Sequence, residues 1–109
     1  MSGVFVLNDL SGLRPAAGDA VADVSVSTDV VGLSDLKGDT RVVLVQADPA
    51  GGDLRYSLDG SDPVGGSHGF VLAKGDGLRL SRVSAQRLKA VRNAAEDGKL
   101  AVQEMVVGG

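Results

Sequence analysis

The chain reads as a mainly β protein: an antiparallel β-sandwich of jelly-roll or immunoglobulin-like form, with one short helical turn and an extended N-terminal arm. Three observations lead there. The apolar residues are overwhelmingly aliphatic, with one tyrosine, two phenylalanines and no tryptophan, and valine-rich chains of this kind suit sheets better than helical bundles. Sixteen glycines are spread along the chain instead of forming one low-complexity tract, which suits short strands separated by turns. Several short stretches alternate apolar and polar residues with the period of two of a half-buried strand. A chain of 109 residues suits one domain that buries about two-thirds of its unfolded surface.

Residues 1–22 read as an arm and residues 23–109 as the sandwich. In the arm, Val4, Phe5, Val6 and Leu7 form an apolar tip, and Asn8-Asp9, Ser11-Gly12, Pro15 and Gly18-Asp19 punctuate the rest of it. Such a tip cannot bury itself alone, so it packs on its own sandwich or on a neighbouring subunit. Alternation begins at Asp23, with Val24 and Val26 on one face and Asp23, Ser25 and Ser27 on the other. Arg41 to Ala47 is apolar on both faces and is expected to be a central or doubly covered strand. Asp48-Pro49-Ala50-Gly51-Gly52 is a loop by composition. Further strands are expected at Leu54–Leu58, Gly69–Ala73 and Gly77–Ser81. The tripeptide Lys-Gly-Asp occurs twice, at Lys37 and Lys74, and each copy reads as a turn before a strand, not as a repeat.

Ser84 to Lys99 is ambiguous. Ser84 can cap a helix, Gln86 to Ala90 are good helix formers, and Leu88, Val91 and Ala95 share a helical face that Gly98 would close. Asp97-Gly98 is also a hairpin signal between two strands. At least one helical turn is expected near Ala85 to Ala90. The last strand, Leu100 to Val107, is marked by alternation of Leu100 and Val102 with Ala101 and Gln103.

Net charge is −3, against a general nucleic-acid binder, and no aromatics interleave the basic residues to stack on bases. Residues 1–54 carry −5 and residues 55–109 carry +2. Arg79, Arg82, Arg87, Lys89 and Arg92 succeed one another without an acid between them; they form either a solvated face or a docking patch for an acidic protein surface. No cysteine is present, so neither disulfides nor thiolate metal sites arise. The longest aliphatic run, Val42 to Val45, is far short of the roughly 20 residues a membrane span needs. No secretory signal is expected either.

Candidate chemistry is sparse. His68 stands alone in Gly65-Gly66-Ser67-His68-Gly69, and a catalytic histidine needs a positioned partner. No serine sits in a nucleophile elbow and no loop has phosphate-binding spacing. Asp53, Asp59, Asp62 and Asp76 are candidate cation ligands by residue type, but their spacing lacks the alternating oxygens and closing glutamate of a calcium loop. Asp59 and Asp62 are better suited to turn amides. Asp59 and Asp62 cast as a glycosidase pair lack a sugar-stacking aromatic around them. No cofactor, no metal and no enzymatic activity are expected.

The most specific stretch is Arg55 to Pro63, RYSLDGSDP. Leu54, Tyr56 and Leu58 alternate with Arg55, Ser57 and Asp59. Asp59-Gly60 then breaks the strand, with Gly60 expected at positive φ, and Pro63 stops the ladder. This arginine-aromatic strand, the turn with Asp-Gly-Ser and Pro63, and the glycine-led strand Gly69-Phe70-Val71-Leu72 together resemble small all-β capsid decoration proteins of tailed bacteriophages, also called cement or head-stabilising proteins. The resemblance spans roughly Arg41 to Val107. It implies a virion protein, made in the host cytoplasm, that binds the major capsid protein on the outer shell as a homotrimer, without nucleic acid or membrane. The candidate capsid or subunit interface comes from the residues themselves, Val4, Phe5, Val6 and Leu7 of the apolar tip and Arg79, Arg82 and Arg87 of the basic run; Asp59, Gly60 and Pro63 are turn residues. The same turn occurs in immunoglobulin-like accessory modules of carbohydrate enzymes, so a carbohydrate-binding or spacer module is the alternative. A phage tail or head-fibre adaptor is a third possibility.

Overall fold

The structure, a computed structural model, describes residues 13–15, 22–33 and 36–107. In chain order the elements are β1 (Leu13–Pro15), β2 (Ala22–Val26), β3 (Val31–Gly32), β4 (Val42–Ala47), β5 (Leu54–Ser57), β6 (Phe70–Leu72), β7 (Gly77–Ser81), α1 (Arg82–Arg87), β8 (Lys89–Arg92) and β9 (Gly98–Val107). All pairings are antiparallel and fall into two sheets, so the chain is a β-sandwich. In the first sheet β9 is the spine. One edge of β9 takes β2 along its first half and β1 at its end, and the other edge takes β4, which in turn takes β7. The second sheet runs β3-β8-β5-β6, leaving β6 at an edge.

Residue patterning explains the placement. Val43, Val45 and Ala47 of β4 are buried, while Val42, Leu44 and Gln46 are half-buried on the outer face. The doubly apolar strand is therefore central, as its pattern predicts. Val45 lies opposite both Leu78 of β7 and Val102 of β9, so the inner face is a continuous apolar row. Val26, Val43, Val45, Leu80, Leu100 and Val102 from the first sheet share one core with Leu54, Leu72 and Ala90 from the second. A fully buried valine or leucine such as Val43 or Leu54 contributes about 1.5–3 kcal/mol. Leu33, Ala47, Ala85 and Leu88 complete the cluster. The expected alternation at Val24 and Val26 also holds, with Val26 fully buried and Val24 packed against the core.

Three expectations change. The helix spans Arg82–Arg87, not Ala85 to Ala90, and its cap is Ser81, not Ser84. Ser81 Oγ accepts the Ser84 N–H at 3.2 Å and fixes the start three residues early. Leu88 then turns extended, at φ −58° and ψ 130°, and Lys89–Arg92 enter the second sheet as a strand, so no helical face unites Leu88, Val91 and Ala95. Asp97-Gly98 does not join a hairpin: β8 pairs with β3 and β5, whereas β9 pairs with β1, β2 and β4 in the other sheet. Gly98 answers a packing need. A Cβ there would lie 2.6 Å from Leu54 Cδ2 and 2.9 Å from the Gly52 carbonyl oxygen, which is closer than any side chain tolerates. Finally, Leu13–Pro15, within the stretch read as the arm, and Ala22 at its end are sheet residues paired with β9.

Candidate functional site

The segment from Ser57 to Phe70 folds into a braced loop at the end of β5. Asp59 Oδ1 accepts both the Ser61 N–H at 2.9 Å and the Ser61 hydroxyl at 2.6 Å. Those bonds, the side-chain one first, hold the Asp59 carboxyl below its ordinary pKa. Gly60 sits at φ +87°, as its place in the turn requires. Ser57, buried at the strand end, donates its hydroxyl to the Ser61 carbonyl. Asp62 does not serve a turn amide; it pairs with Lys89 Nζ at 3.0 Å, tying the loop to the start of β8. Pro63 is buried below the loop, and Val64 and His68 exchange backbone hydrogen bonds across its tip.

Arg55 explains why an arginine belongs in the motif. Its Nε donates to Asn93 Oδ1 at 3.0 Å and its Nη1 to the Gly69 carbonyl at 3.0 Å, while the same Asn93 oxygen accepts the Gly66 N–H at 3.1 Å. One guanidinium and one amide thus pin both ends of the Gly66–Gly69 loop to the second sheet.

The loop encloses an open cleft of about 460 Å³ lined by Ser57, Leu58, Asp59, Ser61, His68 and Phe70. Phe70 is 66 % exposed, and its ring centroid stands 5.7 Å from that of Tyr56, with the planes tilted by 39°. Tyr56 is partly buried against the core, and that burial pushes its phenol pKa upward.

Aspartate, serine and histidine meet here in an order that suits a polar network better than a nucleophile. Ser61 gives its hydroxyl hydrogen to Asp59, and His68 Nε2 lies 3.4 Å from the same oxygen. A nucleophilic serine hands its proton to histidine while the carboxylate orients that histidine; here the carboxylate holds the serine.

The run of five basic residues is divided by the fold. Arg79 lies on β7 opposite Leu44, and Arg87 ends α1. Arg82 Nη1 donates to the Lys37 and Thr40 carbonyls and braces the turn before β4. In the other sheet Lys89 pairs with Asp62, and Arg92 pairs with Asp97 at 2.8 Å. Of the five, only Arg79 and Arg87 stand without an ion pair or side-chain hydrogen bond among the described residues, so the run does not act as one patch. Val4, Phe5, Val6 and Leu7 lie outside the described residues. The acidic residues also part company: Asp53 Oδ1 accepts the Lys74 N–H at 2.9 Å, and among the described residues no three His, Cys, Asp or Glu side chains gather to hold a metal ion.

Sequence reading missed the exposure of β6. Phe70 and Val71 are 66 % and 49 % exposed, and Val64 in the preceding loop is 53 % exposed. The available signal was a glycine-led pair of large apolar residues directly after a long polar loop. A second open cavity of about 570 Å³, lined by Gly38, Asp39, Thr40, Arg41, Arg82 and Val83, lies beside α1 and the turn before β4. No family model matches the chain, and neither the curated proteins nor the solved structures contain a match to it.

Proposed function

We propose that this chain is a structural protein of a bacteriophage virion, a decoration subunit that binds the outer surface of the capsid shell and stabilises it as a homotrimer. The likeness around Arg55 to Pro63 supports the virion assignment, and a compact β-sandwich is a suitable clamp. The observation that carries an adhesive role is the edge strand β6, whose outer edge is unpaired among the described residues while Phe70 and Val71 face water. Large apolar groups beside free backbone donors and acceptors form a ready interface. Capsid shells are strained where subunits meet around local three-fold axes, and a symmetric clamp there resists opening; closed symmetry reuses one such surface in every subunit. The major capsid protein is the partner on this reading.

The test is cosedimentation with expanded shells assembled from the capsid protein of the genome that encodes this chain. Saturable binding, together with a raised shell melting temperature, is expected. The double substitution Phe70→Asp with Val71→Asp should remove both while leaving the sandwich folded. Absence of binding at about 10 μM, where even a modest docking surface is occupied, contradicts the reading. The carbohydrate-binding alternative gains one observation, since the exposed Phe70 ring is the aromatic platform that the sequence did not reveal.

A further inference from the structure

We infer that the cleft between the Asp59 turn and Phe70 receives a basic side chain, arginine in preference to lysine, from the protein on which this chain docks; this rests on reading the chain as an adhesive subunit. The hydrogen-bonding capacity that the cleft's side chains have left over selects the ligand. Ser57 gives its hydroxyl hydrogen to the Ser61 carbonyl, and Ser61 gives its own to Asp59 Oδ1. Both hydroxyls keep only lone pairs. Asp59 accepts both Ser61 donors on Oδ1, and no other residue donates to Oδ2 among the described residues. His68 Nε2 lies 3.4 Å from Ser61 Oγ, whose hydrogen is committed to Asp59, so in the tautomer that makes this contact a hydrogen bond Nε2 spends its donor there.

The free side-chain capacity of the cleft is therefore acceptors plus an exposed aromatic ring. That set matches groups that donate and do not accept, which among protein side chains means guanidinium, ammonium and the tryptophan indole, and only the first two also bring the positive charge that suits Asp59. The neighbouring lysine and arginine do not fill it, and of the basic groups among the described residues only the His68 ring on the cleft wall acts on Asp59. Lys89 is paired with Asp62, and Arg55 is held by Asn93 and the Gly69 carbonyl. Asp59 has no ion pair among the described residues. A guanidinium combines a flat face that stacks on an aromatic ring with an in-plane edge that donates to a carboxylate, and a compact ammonium lacks that combination; Phe70 and Asp59 line the same cleft. A sugar fits less well, because each of its hydroxyls also needs a donor that these side chains lack.

The experiment is a titration of the 15N-labelled full chain with the peptide acetyl-Gly-Arg-Gly-amide, monitored by amide chemical shifts. Saturable shifts confined to residues between Ser57 and Phe70 are expected, weakened about fivefold by Asp59→Asn, in the range of a partly exposed ion pair. Phe70→Ala should weaken them about threefold, the scale of an exposed cation–π contact, and added salt should weaken them in wild type. Asparagine keeps an Oδ1 acceptor for Ser61 and Phe70 is exposed, so both variants should retain the wild-type spectrum elsewhere; if one does not, the salt dependence and the other variant decide. The inference is overturned if the arginine peptide moves no amide in this segment, if binding ignores salt and both substitutions, or if acetyl-Gly-Gln-Gly-amide or methyl glucoside shifts the same amides as strongly. Shell binding with a silent cleft overturns the inference alone; a responsive cleft without shell binding overturns only the capsid reading.

Discussion

At the scale of single residues, the Asp59 turn is a device for ending a strand and aiming a loop, and its two halves can be tested apart. Gly60 has φ +87° with nothing within 4 Å of an added Cβ. An added Cβ there meets no neighbour, so the cost of a side chain is set chiefly by the backbone conformation, about 1 kcal/mol or more. Gly60→Val should lower the melting temperature by roughly 4 °C or more; an unchanged transition in calorimetry would contradict the turn assignment. The carboxylate half is a matter of pH. Asp59 is held below its ordinary value first by the Ser61 hydroxyl and then by the Ser61 N–H. A depressed carboxyl contributes stability above its unfolded pKa, about 3.9, and that contribution is lost as pH falls through the lower folded value. Ser61→Ala should therefore move the Asp59 titration upward in side-chain carboxyl NMR and lessen the acid-dependent part of stability. A titration identical to wild type would show that the hydroxyl does not hold the charge.

Among elements, the informative join is the one between β8 and β9. Asp97-Gly98 looks like a hairpin turn, yet the strands it separates belong to different sheets. Gly98 is glycine because Leu54 and the Gly52 backbone press against its Cα. The two explanations predict different substitutions. A turn that needs positive φ accepts asparagine readily, whereas a packing contact rejects any side chain. Gly98→Ala should cost about 1–3 kcal/mol through overpacking, and Gly98→Asn at least as much, measured by urea denaturation. An asparagine variant as stable as wild type would restore the hairpin explanation. The helix starts three residues earlier than its sequence pattern suggests for a related reason. Ser81 and Ser84 are equally good caps by type, and the choice fell to Ser81 because β7 ends there and delivers its hydroxyl to the Ser84 N–H.

For the whole molecule, the two sheets bury an aliphatic core and leave large apolar side chains exposed at one edge of the second sheet. The exposed Phe70 and Val71 on β6 are a surface that docking on a partner would cover. Light scattering at tens of micromolar should give the mass of a trimer, and Phe70→Asp, which acts on shell docking, should leave that mass unchanged and lower stability by no more than about 0.5 kcal/mol, as for exposed substitutions generally. A wild-type monomer at that concentration would count against the oligomer, because a modest interface dissociates only near or below its dissociation constant.

Local chemistry decided much of this protein. Period-two alternation at Val24 and Val26, the doubly apolar Val42 to Ala47, and the turn residues Asp59, Gly60 and Pro63 state their roles within a few neighbouring positions, because strand period, burial and φ preference are short-range properties. The sandwich class, the central strand and the Gly60 conformation were legible for that reason. Tertiary structure alone decided which strands pair, because Gly98 and Leu54 meet across 44 positions and no local pattern records that contact. It also decided that Arg55 joins Asn93 and Gly69, that the basic run is split between two sheets, and that Phe70 lies open on an edge beside Asp59. Those are facts of long-range juxtaposition: a side chain's partners and exposure depend on what the fold brings to it, and the residue itself carries only the capacity to bond or to stack.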